Sequence, residues 1–301
     1  MFNTTTLFLY VVTVIAWGTA FFGAKLQAGV VPLEWSVAYR FALSAPVFFI
    51  FAAATGRSLR FGWRDHIVFA ALGLLLFSVH FLAVYESTTR IPSGLTAVGF
   101  SIIVIFNTLL AVPAMGSRPE WQALCGAALG LAGIALVYSG ELGGFKGSTD
   151  AWIGIGLAVF AAAVASGGNL LSARTQRRGV PVIQANAWGM SYGALAMALY
   201  AAVTGKAPAV EWTITYVGSM VYLVTLGTAI AFSAYLSLIH RIGAGRAAYA
   251  WVAAPVLALI LSTFFEGFAW HPSTMLGVLL LVAGNFLVLK SPPNPSVARA
   301  D

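Results

Sequence analysis

A chain of 301 residues in which 60% of side chains are hydrophobic and 8% charged is not a water-soluble domain, where charged residues make up about a quarter. A net charge of +7 would point to nucleic acid in a soluble protein; in so apolar a chain it marks instead the loops held on the cytoplasmic side of a membrane. Cys125 is the single cysteine, which excludes an internal disulfide.

Apolar runs of about 20 residues, enough to cross roughly 30 Å of hydrocarbon as helix, predict an all-α polytopic membrane protein with ten spans, at 7–28, 35–55, 66–86, 92–115, 121–140, 151–172, 182–204, 213–238, 246–265 and 272–290. The first has no basic residue before it and many similar runs after it, so it reads as a span and not as a cleaved leader. Within it Trp17 departs from the interfacial belt that tryptophan prefers, and neighbouring Gly18 leaves room for a ligand or a helix; Lys25 lies nearer the outer surface, where its stem can snorkel. In the second span Arg40 lies about a turn and a half below the outer start. A guanidinium there can snorkel, pair with Glu86, or hold a substrate carboxylate. The third span carries His80 in FSVHFLAVY, a group that donates, accepts and titrates; it is expected to face a pathway as a substrate contact or proton site, the alternative being a neutral ring bonded to a neighbouring helix. Tyr85 follows near the outer end.

Phe100 and Asn107 belong to the fourth span. Gly126, Gly130 and Gly133 of the fifth, with Gly277 and Gly284 of the tenth, read as close-packing surface. Ser166-Gly167-Gly168-Asn169 in the sixth span loosens the helix beside an amide that can meet a zwitterion, although interhelical bonding is the commoner use of Asn107, Asn169 and Asn285. Trp188 and Tyr192 in the seventh, with Tyr249 and Trp251 in the ninth, add rings able to stack on an aromatic ligand. Pro46, Pro113 and Pro255 can kink their helices.

With both termini inside, eleven basic residues (Arg57, Arg60, Arg64, Arg118, Arg174, Arg177, Arg178, Arg241, Arg246, Lys290 and Arg299) face the cytoplasm, against Lys25, Arg40, Arg90, Lys146 and Lys206 toward the outside. That excess sets the expected orientation. The stretch RIPSGLTAVGF from Arg90 is echoed by RIGAGRAAYAW from Arg241. Shifting residues 90–137 by 151 gives twelve identities, where about four are expected from this composition. Among them are Arg90/Arg241, Gly94/Gly245, Gly116/Gly267, Gly126/Gly277 and Gly133/Gly284. A shift of 149 brings Gly18 to Gly167 and Thr55-Gly56-Arg57 to Thr204-Gly205-Lys206. Five spans per copy force the second copy to run upside down, so the predicted organisation is two inverted five-helix repeats, 1–145 and 146–291, and a cytoplasmic tail, 292–301. Such halves can exchange conformations and expose a central site to either side in turn.

No acidic residue falls near the middle of a predicted span, and no GxxxxGK[ST] loop is present, so neither a midplane carboxylate nor direct ATP drive is expected. Intramembrane proteolysis would want paired aspartates, an HExxH helix or a Ser/His pair; the first two are missing from the spans, and the third stays open without supporting context. The chain is therefore read as no enzyme. A passive channel and a drug, sugar or nucleotide-sugar carrier remain as alternatives; anionic nucleotide-sugars call for more basic residues than Arg40 and Lys25.

The segments AWGTAFFGAK, SVAYRFALSAP, FLAVYESTTRIPSGLTAV and GLAGIALV resemble the EamA family of the drug/metabolite transporter superfamily, over essentially the whole chain, and within it the YddG-type exporters of aromatic and other neutral amino acids. The resemblance implies export of a small-molecule amino acid through a central cavity, with the fifth and tenth helices at the periphery. Two positions depart from the pattern in the second copy: Ser166 stands for Trp17 and Gly189 for Arg40. The expected protein lies in the bacterial inner membrane, its oligomeric state left open by the sequence with a monomer among the options, with no cofactor, no metal and no nucleic acid, and with Trp17, His80, Phe100, Asn169, Tyr192 and Trp251 on the substrate and Arg40 and Tyr85 as carboxylate or gating contacts.

Overall fold

The computed structural model describes residues 4–115, 121–141, 148–242, 247 and 250–290. Gly116, Arg118, Lys146, Gly245, Arg246, Tyr249, Arg299 and the 292–301 tail lie outside the described residues. Among the described residues all regular structure is helical: α1 (Thr4–Lys25), α2 (Leu33–Ala54), α3 (Trp63–Leu74), α4 (His80–Arg90), α5 (Ser93–Phe100), α6 (Ile103–Met115), α7 (Trp121–Glu141), α8 (Thr149–Arg177), α9 (Val182–Val203), α10 (Ile214–Val224), α11 (Ala231–Ile242), α12 (Ala250–Glu266) and α13 (Pro272–Lys290). Helices suit hydrocarbon because every backbone bond closes within the segment. Among the described residues six helical stretches are long and apolar enough to cross a membrane, and three shorter apolar helices accompany them. The chain is a multi-pass membrane protein.

The turn chemistry is local. Pro32, Pro92 and Pro181 stand immediately before α2, α5 and α9, where a fixed φ and a missing N–H cost nothing. Ser148 and Thr213 cap α8 and α10 with side-chain oxygens that accept from Ala151 N and Tyr216 N. The ends of α2 and α9 are alike in detail. Thr55 and Thr204 donate to carbonyls four residues back, Gly56 and Gly205 follow with φ +68° and +74°, and the next amide donates to Ala52 O or Ala201 O. Only glycine adopts that left-handed φ without strain.

Three predicted spans are interrupted. The third runs as α3 and α4 joined by a π-turn at Leu75–Val79, the eighth as α10 and α11 joined by another at Thr225–Ile230, and the fourth breaks after Phe100 into α5 and α6. A π-turn inserts one extra residue into a helical turn, and hydropathy has no signal for it. The Gly167-Gly168 pair, by contrast, does not interrupt α8, which is helical throughout.

α7 and α13 pack on the predicted glycines: a Cβ on Gly133 would lie 2.6 Å from Gly277 O, and one on Gly284 2.5 Å from Gly126 O. Without side chains there the backbones close to van der Waals distance. The same device joins α3 to α9, where a Cβ on Gly73 would meet Gly189 O at 2.5 Å.

One end of the bundle is bound by charge. Lys25 pairs with Glu266 at 2.5 Å, Lys206 with Glu34 at 2.5 Å, and Arg90 with Glu86 at 2.5 Å and Asp150 at 3.5 Å. Glu266 also accepts from Ser93 N at 3.1 Å and from the Ser262 hydroxyl, tying the end of α12 to the start of α5. Trp35 Nε1 donates to Lys206 O at this end, and Trp188 Nε1 donates to Leu59 O at the other. These reciprocal bonds clamp α2 and α9 together at both ends.

Candidate functional site

Arg40 lies seven residues inside α2, about 10 Å along the helix from Leu33. The side chain is buried, at 3% exposure. Its guanidinium lies 4.6 Å from the Phe81 ring centroid and 5.4 Å from that of Phe41, and Nη2 donates to Thr228 Oγ1 at 3.3 Å. Nε has no hydrogen-bond partner, and no described carboxylate forms an ion pair with it. Glu86, one sequence-level candidate, is taken by Arg90. A buried cation with aromatic faces and neutral polar groups around it, and no described carboxylate, is an incomplete ion pair. Its desolvation costs several kcal/mol after relaxation, of which a desolvated cation–π contact offsets about 2.

Around this cation stand groups from the helices that flank both π-turns. Tyr85 on α4 is fully buried, with its hydroxyl beside the Arg40 guanidinium. His80, the first residue of α4, is 6% exposed and also within reach of Arg40. Its Nδ1 lies 2.9 Å from Leu75 O across the π-turn. A carbonyl can only accept, so Nδ1 carries a proton; in the neutral ring this leaves Nε2 as the acceptor. Phe100 stacks over His80 with centroids 6.1 Å apart and meets Phe21 of α1 at 5.8 Å. Tyr222 on α10 is within reach of Arg40 and is hydrogen-bonded to Thr19 of α1.

A second aromatic group adjoins the first. Trp17 stacks on Trp251 at 3.8 Å and is flanked by Tyr235 at 4.9 Å and Phe232 at 6.3 Å. Phe232 reaches Phe48 of α2 at 6.0 Å, so the two groups share a boundary. The space beside Gly18 belongs to α12, whose Ala254 O lies 3.0 Å from where a Cβ would be.

The remaining sequence candidates lie elsewhere. Tyr192 bonds His66 Nδ1 at 2.9 Å near the start of α3, beside Trp188. Asn169 is exposed and donates to Asn107 at 3.4 Å, an interhelical bond between α8 and α6. The structure therefore brings together Arg40, His80, Tyr85 and Phe100, places Trp17 and Trp251 next to them, and sets Tyr192 and Asn169 apart. Sequence reasoning missed Phe81, Thr228, Phe232 and Tyr235. Thr228 had a signal: it lies at Ser78 plus 150, within one residue of the repeat offset.

A separate apolar groove of about 480 Å³ lies between α2 and α9, lined by Trp35, Tyr39, Pro46, Phe49, Ser191 and Leu195 among others. Arg40 does not line it. Polar chemistry is concentrated around Arg40, so the candidate site is placed there.

Residues 4–139 and 152–290 each match the EamA-like transporter family. The chain is 25% identical over 280 residues to "Uncharacterized transporter YoaV" of Bacillus subtilis, covering 91% of this chain and 92% of that protein. It is 25% identical over 283 residues to "Probable terminal-alkyne amino-acid exporter" of Streptantibioticus cattleyicolor, covering 92% and 91%. "Uncharacterized inner membrane transporter YedA" of Escherichia coli is 27% identical over 256 residues, 84% of this chain and 80% of that one. A solved crystal structure superposes with a TM-score of 0.67 at 20% identity, over 95% of this chain and 96% of the other, which shows a shared fold.

Proposed function

The chain belongs to the EamA-like transporter family, and from that premise we propose that it is a carrier exporting neutral amino acids, aromatic ones foremost, across a bacterial inner membrane by alternating access. The observation that carries the reading is the buried, unpaired guanidinium of Arg40. A substrate carboxylate completes its ion pair, and charge-assisted bonds of this kind are about twice as strong as neutral ones. Tyr85 adds an O–H donor for the carboxylate. His80 Nε2 accepts from the ammonium group. One guanidinium suits one carboxylate and falls short of a diphosphate. Phe81, Phe100 and, past Phe232, the Trp17–Trp251 stack offer the aromatic faces on which a ring packs offset or edge-on. Similarity to an amino-acid exporter supports the same substrate class.

Ten spans in two inverted repeats, 1–145 and 146–291, supply the motion. The double match to one family, the like ends of α2 and α9, and the paired π-turns support this organisation. Both termini are cytoplasmic in this reading, which puts the ion-paired end outside. Transport follows the substrate's own gradient. Counterflow of labelled phenylalanine in proteoliposomes tests the proposal: saturable exchange supports it, and its absence for phenylalanine and every other neutral amino acid refutes it.

A further inference from the structure

The Arg40–Thr228 bond joins the candidate site to a bend in the chain. We infer that Thr228 couples occupancy of the site to a hinge at Thr225–Ile230. This rests on Arg40 as the carboxylate-binding group.

Thr228 has one hydroxyl proton, and it goes to Leu223 O, five residues back, at 2.8 Å. Its oxygen accepts from Arg40 Nη2 at 3.3 Å. A guanidinium on the oxygen polarises the hydroxyl and strengthens its donation to Leu223 O, since hydrogen bonds in a chain reinforce one another. Arg40 thereby helps hold the π-turn in its wide, five-residue register. An arriving carboxylate offers the guanidinium bonds of about 2.7–2.9 Å to a charged acceptor, shorter and stronger than the one to a neutral hydroxyl. The guanidinium turns to the ligand, Thr228 loses its donor, and the turn between α10 and α11 is released. α11 carries Phe232 and Tyr235 against Trp17, so the movement reaches the aromatic group.

The hydroxyl of the other π-turn has no such reader. Ser78 makes the same bond five residues back, to Gly73 O at 3.0 Å, but its second contact is Gly193 O at 2.9 Å. A backbone carbonyl on a packed helix is not drawn off by a ligand. At the offset of 149, Arg40 and Ser44 of α2 correspond to Gly189 and Gly193 of α9, so the first turn packs on glycine where the second meets a cation. Only the second bend has its hydroxyl on the group that binds the carboxylate; the first meets the site through His80, whose Nδ1 lies on Leu75 O.

The test uses the full chain in lipid nanodiscs with L-phenylalanine as probe, combining equilibrium binding, counterflow, and backbone hydrogen exchange across 225–231 with and without saturating probe. The wild type changes exchange there by several-fold on binding. Thr228→Val binds within about threefold of wild type, loses the probe-dependent change, and slows counterflow at least tenfold. Thr228→Ser restores both, and Ser78→Ala keeps the probe-dependent change at 225–231. Thr228→Val that binds and still shows that change overturns the coupling alone. Undiminished phenylalanine binding by Arg40→Gln, or no saturable binding of any neutral amino acid by the wild type, overturns the reading of the site and the coupling with it.

Discussion

Ser78 and Thr228 make the same bond 150 residues apart: each hydroxyl lies against the carbonyl five residues before it, Gly73 O and Leu223 O, within a π-turn that splits a long helix. Helices elsewhere in the chain use serine and threonine to reach back four residues, as Thr13, Thr175 and Thr263 do. The five-residue reach belongs to the wider turn, and its recurrence at one offset is what two copies of one folding unit would leave behind. The two turns differ in what lies across from the hydroxyl, a glycine carbonyl in one and Arg40 in the other.

Arg40→Gln removes the charge and keeps the polar reach. Hydrogen bonds to charged groups contribute about 1.5–3 kcal/mol, so the affinity for a zwitterionic substrate is expected to fall about 10- to 100-fold. Arg40→Lys should retain part of it, because an ammonium lacks the planar fork. Counterflow at a series of phenylalanine concentrations measures both.

The all-helical, multi-pass character and the glycine seam of α7 and α13 were legible in the sequence because each rests on a periodicity or a composition that survives in one dimension. Arg40 and His80 stood out for a related reason, as rare polar groups in apolar runs. The π-turns were not legible: LLFSV and TLGTAI differ little from ordinary helix, and the turn is a property of the register between two packed segments. Tyr192 and Asn169 resembled Trp17 and Phe100 as candidates because residue type fixes what a side chain can do and leaves open which face of the helix carries it. Tyr192 is turned to His66 and Asn169 to Asn107.

At the α7–α13 seam, Gly133→Leu has no room, since Gly277 O lies 2.6 Å from the position of a Cβ. Overpacking of this kind costs about 1–3 kcal/mol. Thermal unfolding in detergent should show a lower midpoint, whereas Gly156→Leu, where nothing lies within 4 Å, should leave it unchanged.

Trp251→Ala removes the ring stacked on Trp17 at 3.8 Å. If this group contacts aromatic substrates, the ratio of phenylalanine to alanine counterflow falls about threefold to tenfold, in line with about 0.5–1.5 kcal/mol for an aromatic pair. A ratio equal to that of the wild type would place the substrate ring elsewhere.

Lys206, in the loop after α9, is pushed above the ordinary lysine value of 10.5, first by its hydrogen bond to Glu34. A pKa raised by folding gives a contribution to stability that is fully present below the unfolded value and lost as pH rises through the folded one. The melting temperature should therefore hold from pH 7 to 9 and show a lysine-dependent decline above about 10.5; Lys206→Met should remove that component. An unchanged alkaline decline in the variant would mean the Glu34 pair has no part in it.

The most direct measurement compares L-phenylalanine with phenethylamine, the same molecule without its carboxylate, as competitors for labelled phenylalanine on the purified wild type and on Arg40→Gln. The account predicts that the wild type prefers phenylalanine by at least tenfold and that Arg40→Gln prefers neither. A preference of the same size in both proteins would show that the carboxylate is held somewhere other than Arg40 and would contradict the account.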